Sequence, residues 1–306
     1  MKRLVVHEVL YGSTYHSRKV RHDALNALLR DHGREIAVVT LRNAPLFGTS
    51  DALAEELDKV VQSGVRFVIL DLRRVNQVDA ETCTLLGEIC MQLNEQGCVV
   101  GFSHLDPASR FWPAAEEAEL TESTDPGHFF ADAETALQSF EDLLLQQLNQ
   151  DFTAQYTMDY DELFGSLGFT DEERRTMRDF FEERTYPQGR IVFSAGSPGD
   201  AMYFLASGKA DILIDLPDTD RQKRIYTTAY GTVFGEMALL DEQPRSASVV
   251  ATTDIVCYCL TTWKFNELKQ AHPKIAMRFY IVLCHILVNR LRDADGLISQ
   301  LEEQGD

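Results

Sequence analysis

The sequence has no run of about 18 apolar residues, so no helix is expected to cross a bilayer. Its N-terminus, MKRLVVHEVLYGSTYH, carries two basic residues, but the apolar stretch after them is too short for a secretory signal. Positive charge is scarce: 29 Lys and Arg stand against 48 Asp and Glu, a net −19. Free nucleic acid and anionic membrane surfaces are therefore poor default partners. Between Arg110 and Arg174 there is no Lys or Arg at all. The six cysteines (Cys83, Cys90, Cys98, Cys257, Cys259 and Cys284) form no CxxC and have no histidine cluster beside them, so buried thiols in a reducing cytosol are expected. Cys257 and Cys259 share one face of a strand, but two thiolates without further ligands make no metal site, and none is expected.

The 306 residues allow two domains, each with its own core, and the pattern divides them at 1–149 and 150–306. In the first part β-branched runs (34–41, 65–72, 98–105) alternate with helical spacing (50–64, 79–97, 128–149). That alternation predicts an α/β domain, a partly parallel mixed sheet covered by helices. The acidic stretch 114–127 contains Pro and Gly and reads as a solvated loop. Residues 159–184 alternate apolar and charged residues at helical spacing. From about 186 to 262 a glycine or proline falls every few residues between β-rich runs, the texture of an antiparallel roll. An apolar helix over about 272–293 closes the chain and suits either a lid or a homodimer surface.

Chemistry concentrates in FGEMALLDEQPRSASVV, residues 234–250. Gly235 and the Pro244-Arg245 break predict a short helix within a loop, followed by a strand. The free N–H groups of such a helix attract phosphate, and Arg245 adds a planar fork of donors. Ser246 supplies a hydroxyl beside it, while Glu236, acceptor-only when ionised, suits sugar hydroxyls. Together they describe a ribose-phosphate site.

This segment resembles the phosphate-binding cassette of cyclic nucleotide-binding domains, FGE-x-AL followed by R-[STA]-A. The glycines at 189, 196, 199, 208 and 231 fit the same family, and the likeness runs over about 155–300. It implies an α+β domain, a β-roll flanked by helices. It further implies ligand contacts from Gly235, Glu236, Met237, Ala238, Arg245, Ser246 and Ala247, with Glu236 on the ribose 2′-hydroxyl and Arg245 on the cyclic phosphate. The closing helix would cover the base, through Arg290 or Leu291. Serine after the arginine leans toward cAMP over cGMP within the family.

The first domain resembles the STAS domains found in the cytosolic tails of SulP-type anion transporters. The likeness rests on IAVVTLRNAPLFGTSDAL, FVILDLRRVNQVDAETCTLLGEI and HFFADAETALQSFEDLLL, with YGSTYHSRKVR resembling the linker after a last membrane helix. In related anti-sigma-factor antagonists a serine at the strand-to-helix turn is phosphorylated. Here the turn reads Asp79-Ala80-Glu81-Thr82, so Thr82 is the alternative acceptor and Asp79 the expected N-cap. A chain without membrane helices cannot transport by itself. The expected role is a cytoplasmic regulatory module, or the detached tail of a longer protein, that binds a cyclic nucleotide and relays it to a transporter or another regulatory protein. The alternative is an interaction scaffold with a ligand-free cassette. No nucleophile–base pair or metal spacing suggests an enzyme, no cofactor is implied, and the acidic LISQLEEQGD end offers no DNA-reading helix.

Overall fold

The computed structural model describes residues 3–44, 51–148, 156–216, 221–241 and 243–303. The LFGT piece at 46–49 and the 150–155 part of the expected boundary lie outside them. The chain forms two compact units: Met1–Lys19 with Asp23–Thr153, and Val20–His22 with Ala154–Asp306.

The first unit is built on one sheet in the order β1 (Arg3–Tyr11), β2 (Ile36–Ala44), β3 (Phe67–Arg74), β4 (Val99–Ser103) and β5 (Phe129–Phe130). β1 runs antiparallel to β2, and the rest are parallel neighbours, with Val39 beside Leu70 and Leu70 beside Phe102. Parallel neighbours need crossovers, supplied by α2 (Asp51–Gln62), α3 (Ala80–Glu95) and the short α4 (Trp112–Glu117) and α5 (Leu120–Ser123), after α1 (Asp23–His32) has joined β1 to β2. Leu57 and Leu86 from the crossovers are buried in one core with Val39, Val68 and Leu70. α6 (Ala133–Leu148) packs against β2 to β5, and there Gly101 is required: a Cβ on it would lie 2.7 Å from the Phe140 ring.

The mixed sheet matches the expectation, while several details differ. β1 and α1 form where no element was expected, on either side of the linker-like segment 11–21. Within YGSTYHSRKVR, the Ser17 amide donates to Glu141 at 2.8 Å and Lys19 donates to Asp142 at 2.6 Å, which ties the segment to α6. The acidic 114–127 stretch is not a plain loop: it contains the end of α4 and all of α5, because Ala115 and Leu120 fill the core under α3. Asp79 caps α3 as expected, accepting from the Thr82 amide at 2.9 Å, and it also takes the Thr82 hydroxyl at 2.6 Å.

A polar hub sits where β3 and β4 end. Asp71 is wholly buried and accepts from Ser103 Oγ and His104 Nδ1, each at 2.9 Å, from the Arg73 amide at 3.1 Å and from Thr40 Oγ1 at 3.3 Å. Arg73 Nε pairs with it at 2.9 Å. His104 takes a left-handed φ of 60°, a cost that its bond to Asp71 offsets. Burial works to raise the Asp71 pKa, but the donors outweigh it and hold the carboxyl below the ordinary aspartate range.

The second unit opens with α7 (Tyr160–Ser166) and α8 (Asp171–Met177), each started by a capping box, at Asp159 with Glu162 and at Thr170 with Glu173. The helical reading of 159–184 overruns: β6 (Glu182–Tyr186) is a strand, since β13 takes up its backbone from Ile255 to Cys259. The roll comprises β6, β7 (Ile191–Phe193), β8 (Ala201–Ser207), β9 (Lys209–Asp215), β10 (Gln222–Ala229), β11 (Thr232–Phe234), β12 (Ser248–Ala251) and β13 (Ile255–Thr261). They form two antiparallel sheets, β10-β9-β12-β7 and β11-β8-β13-β6, with α9 (Glu236–Asp241) between β11 and β12. Two helices follow, α10 (Thr262–Ala271) and α11 (Pro273–Glu303). Phe279 of α11 meets Phe164, Phe169, Phe181 and Phe204, so the helices on both sides of the roll share one aromatic core.

Five cysteines are buried, and desolvation pushes the Cys83 and Cys259 thiols up to about 11. Cys284 departs from the expectation and is exposed on α11. No group of metal-ligating side chains occurs among the described residues, and no described helix is long and apolar enough to cross a membrane.

Asp71→Asn should destabilise the first unit by about 3 kcal/mol, because five donor groups from four residues lose a charged acceptor in a dry site. The folded carboxyl titrates below its unfolded value, so its contribution is present above about pH 4 and lost as pH falls through the folded value. Urea titrations of wild type and variant should therefore converge below about pH 4.

Candidate cyclic nucleotide site

Three local features place the cassette. β11 leads in antiparallel to β8, Phe234 facing Tyr203. Gly235 then turns the chain with φ 76°, a conformation that L side chains rarely adopt. α9 follows, and after Gln243, Pro244 and Arg245 the chain bends at Ser246 and Ala247 into β12. The expected short helix and following strand are both present.

Arg245 is the centre of the site. Its side chain is 1% exposed. Nη1 donates to the Gly235 carbonyl at 2.8 Å, and the guanidinium lies 4.1 Å from the centre of the Phe193 ring. Nη2 donates to Asp200 Oδ1 at 3.2 Å, but that carboxylate is 80% exposed and already well hydrated. Arg245 Nε is buried with no hydrogen-bond partner. The backbone is pinned as well: Arg245 N donates to the Ser197 carbonyl at 2.9 Å, and its carbonyl accepts from Gly196 at 2.8 Å. Glycine at 235 serves this arginine directly, since a Cβ there would lie 2.7 Å from Nη1.

Glu236 is also buried, and its partner comes from far along the chain. Arg290 on α11 donates from Nη1 to Glu236 Oε1 at 2.6 Å and from Nη2 to the Val233 carbonyl. The Arg290 guanidinium also lies over Tyr226 of β10, 5.9 Å from the ring centre, and burial raises that phenol's pKa. Of the two expected lid residues, Arg290 is the one turned inward, while Leu291 is 63% exposed. Arg290 meets the carboxylate expected for the ribose.

The other cassette residues divide by exposure. Met237 and Ser246 face solvent, with Ser246 Oγ 3.8 Å from the Met237 sulfur. Ala247 is half-buried against the core between the sheets. Ala238 lies within α9. The structure thus brings Gly235, Glu236, Arg245 and Ser246 together, adds Asp200, Phe193 and Tyr226, which sequence reasoning left out, and gives Arg290, expected over the base, a partner in Glu236. Thr82 belongs to the first unit and takes no part.

Arg290→Met should cost about 3 kcal/mol of stability, because it leaves a buried carboxylate without its cation. Adding Glu236→Gln should restore part of that loss, and urea titrations of the double-mutant cycle measure the coupling. Strict additivity would show that the two charges do not interact.

The chain matches the family model described as cyclic nucleotide-binding domain over residues 183–272, and the STAS domain model over residues 29–136. Among curated proteins, "Glutaminase 1" of Bradyrhizobium diazoefficiens is 28% identical over 287 residues, 93% of this chain and 45% of that protein. The "Cyclic AMP receptor protein" of Thermus thermophilus is 36% identical over 128 residues, 42% of this chain and 57% of that protein. The crystal structure of the Thermus thermophilus catabolite activator protein is 34% identical, covers 46% of this chain and 62% of its own, and has a TM-score of 0.39. The chain spans less than half the length of the glutaminase it matches almost end to end. The mixed α/β unit is a STAS domain, and the roll that follows it, with its flanking helices, is a cyclic nucleotide-binding domain.

Proposed function

We propose that the second unit binds a cyclic nucleotide, cAMP ahead of cGMP, and relays its occupancy to the STAS domain, the chain being a cytoplasmic sensor without catalysis of its own. The observation that carries this reading is the buried Arg245 with an unpartnered Nε. A guanidinium in a dry site seeks acceptors, and a cyclic phosphate offers two oxygens to its planar fork. The exposed Asp200 contact is weak enough to be replaced. Glu236 Oε1 is held by Arg290, so a ribose 2′-hydroxyl would donate to the other oxygen. The Ser246 hydroxyl stands exposed beside Arg245, and serine there is the ground for preferring cAMP. Gly235, Met237, Ala238 and Ala247 would shape the rest of the contact surface.

The partner has two grounds of support. Resemblance to transporter tails suggests a SulP-type anion transporter. Near end-to-end likeness to less than half of a glutaminase suggests that this pair of domains regulates a catalytic partner. In either case the ligand acts only through unequal affinity for two conformations. One observation favours the scaffold alternative: both cassette charges already have internal counterparts, Arg245 in Asp200 and Glu236 in Arg290.

Thermal-shift and calorimetric titrations with cAMP and cGMP separate these readings. Wild type should melt higher with cAMP, by about 2.7 kcal/mol of added stability at a hundredfold excess over Kd. Arg245→Ala should lose the shift. No heat and no shift with either nucleotide would favour the scaffold, and glutamine hydrolysis by the purified chain would overturn the sensor reading.

A further inference from the structure

The polar hub of the first unit holds a nucleophile that the nucleotide site does not use. His104 directly follows β4, at the carboxyl end of the parallel strands, with its left-handed φ of 60°. A non-glycine residue keeps such a conformation only where its surroundings hold it, and such residues cluster at sites with a task. Two partners do the holding. Nδ1 lies 2.9 Å from Asp71 Oδ1, and the Ser109 hydroxyl donates to the His104 carbonyl at 3.1 Å. Asp71 is ionised at neutral pH and can only accept, so the shared proton sits on Nδ1. In the neutral ring that assigns the lone pair to Nε2. Nε2 makes no hydrogen bond to a described residue, and the side chain is 36% exposed.

An imidazole oriented by a carboxylate serves as a general base or as a nucleophile. A base needs a hydroxyl, thiol or amine within hydrogen-bond reach of Nε2, and no described residue supplies one. The ring is left to react with a molecule brought from outside. The charges around it suit an anionic one. Arg73 Nε pairs with Asp71 at 2.9 Å, Arg42 stands beside Arg74 where β2 and β3 end, and Arg110 Nη2 donates to the Asn76 carbonyl beyond β3 at 3.4 Å. Besides Asp71, Glu8 lies at this end too, 3.7 Å from Arg73 Nη2. In a chain with 29 cationic residues against 48 acidic ones, four arginines at one sheet end make a local cationic field.

We propose that His104 is a phosphoryl acceptor, its Nε2 taking the group from a donor of the phosphoramidate class. Nε2 attacks phosphorus, the donor's P–N bond breaks, and the donor nitrogen, already protonated, leaves with the bonding pair as a neutral amine. The new Nε2–P bond places a positive charge on the ring, which keeps its Nδ1 proton. The buried Asp71 carboxylate offsets that charge, as a carboxylate does for any imidazolium it orients. Asp71 is thus a positioning residue, and the arginines are cations suited to the phosphoryl oxygens. The site is independent of nucleotide binding. It also differs from the Thr82 expectation in its bond, since phosphohistidine hydrolyses in acid and phosphothreonine survives.

The test incubates the whole chain with potassium phosphoramidate, whose leaving group is ammonia, and follows the product by phosphorus NMR and tandem mass spectrometry. The expected label sits on His104, is lost in acid and kept in base, and forms at least about tenfold faster than on any other histidine. Asp71→Asn should slow labelling at His104 and leave the other histidines at their own rates, a selectivity that unfolding would not produce. His104→Asn is the control: asparagine accepts a left-handed φ and its amide can donate to Asp71, so the variant should melt cooperatively yet lose the label. Site mapping in the wild type stands without that variant. No label, a label spread evenly over the histidines, an acid-stable label on Thr82, an undiminished rate in Asp71→Asn or a label that survives His104→Asn would each overturn the proposal.

Discussion

A guanidinium stripped of water must be given acceptors, and Arg245 imposes that demand on the whole nucleotide unit. It fixes Gly235 twice, through the carbonyl that accepts from Nη1 and through the absence of a Cβ in its way. It requires the Phe193 ring beneath it and the Gly196–Ser197 turn beside it. The two sheets of the roll meet at this residue, since Phe193 belongs to one and Phe234, next to Gly235, to the other. The demand leaves one buried N–H of Arg245 unmet, at Nε, and Arg290 Nε in the same unit is likewise buried without a hydrogen-bond partner.

The first unit answers an analogous demand with the opposite sign. Asp71 is a carboxylate stripped of water, and it is satisfied completely from within, by Thr40, Arg73, Ser103 and His104. A fully satisfied polar cluster rigidifies a sheet end, whereas a partly satisfied one carries the cost of a buried donor without an acceptor. The contrast between Asp71 and Arg245 separates a structural charge from one with a vacancy in its hydrogen-bonding capacity.

Legibility in the sequence followed the range of the interactions. The cassette was readable because Gly235, Glu236, Arg245 and Ser246 lie within a dozen residues, and each has one plausible task. β3, α3 and β4 were readable because a doubly buried strand and an amphipathic helix have distinct periodicities. β1 was not read as a strand, although RLVVHEVLY is rich in β-branched residues, because a basic N-terminus invited comparison with a leader. The first three residues of β6 read as helix because they continue the apolar–charged alternation of 159–184; only pairing with β13 makes them strand. Arg290 is legible only as a candidate to cover the base; its pairing with Glu236 is not, since the two lie 54 residues apart and no local pattern joins them. The apolar content of α11 was visible, but only the fold shows which half of that content is already covered.

On the proposed reading, affinity would depend on two distant segments, the cassette and α11, because Arg290 holds Glu236. If the site must give up or reshape the Glu236–Arg290 pair before a sugar fits, the measured dissociation constant is the intrinsic one divided by the fraction of molecules in the competent state. Two chains with identical cassettes would then differ in sensitivity through one side chain on a helix that no cassette motif includes. The set point of the sensor would be tuned from α11, leaving the chemistry of recognition untouched.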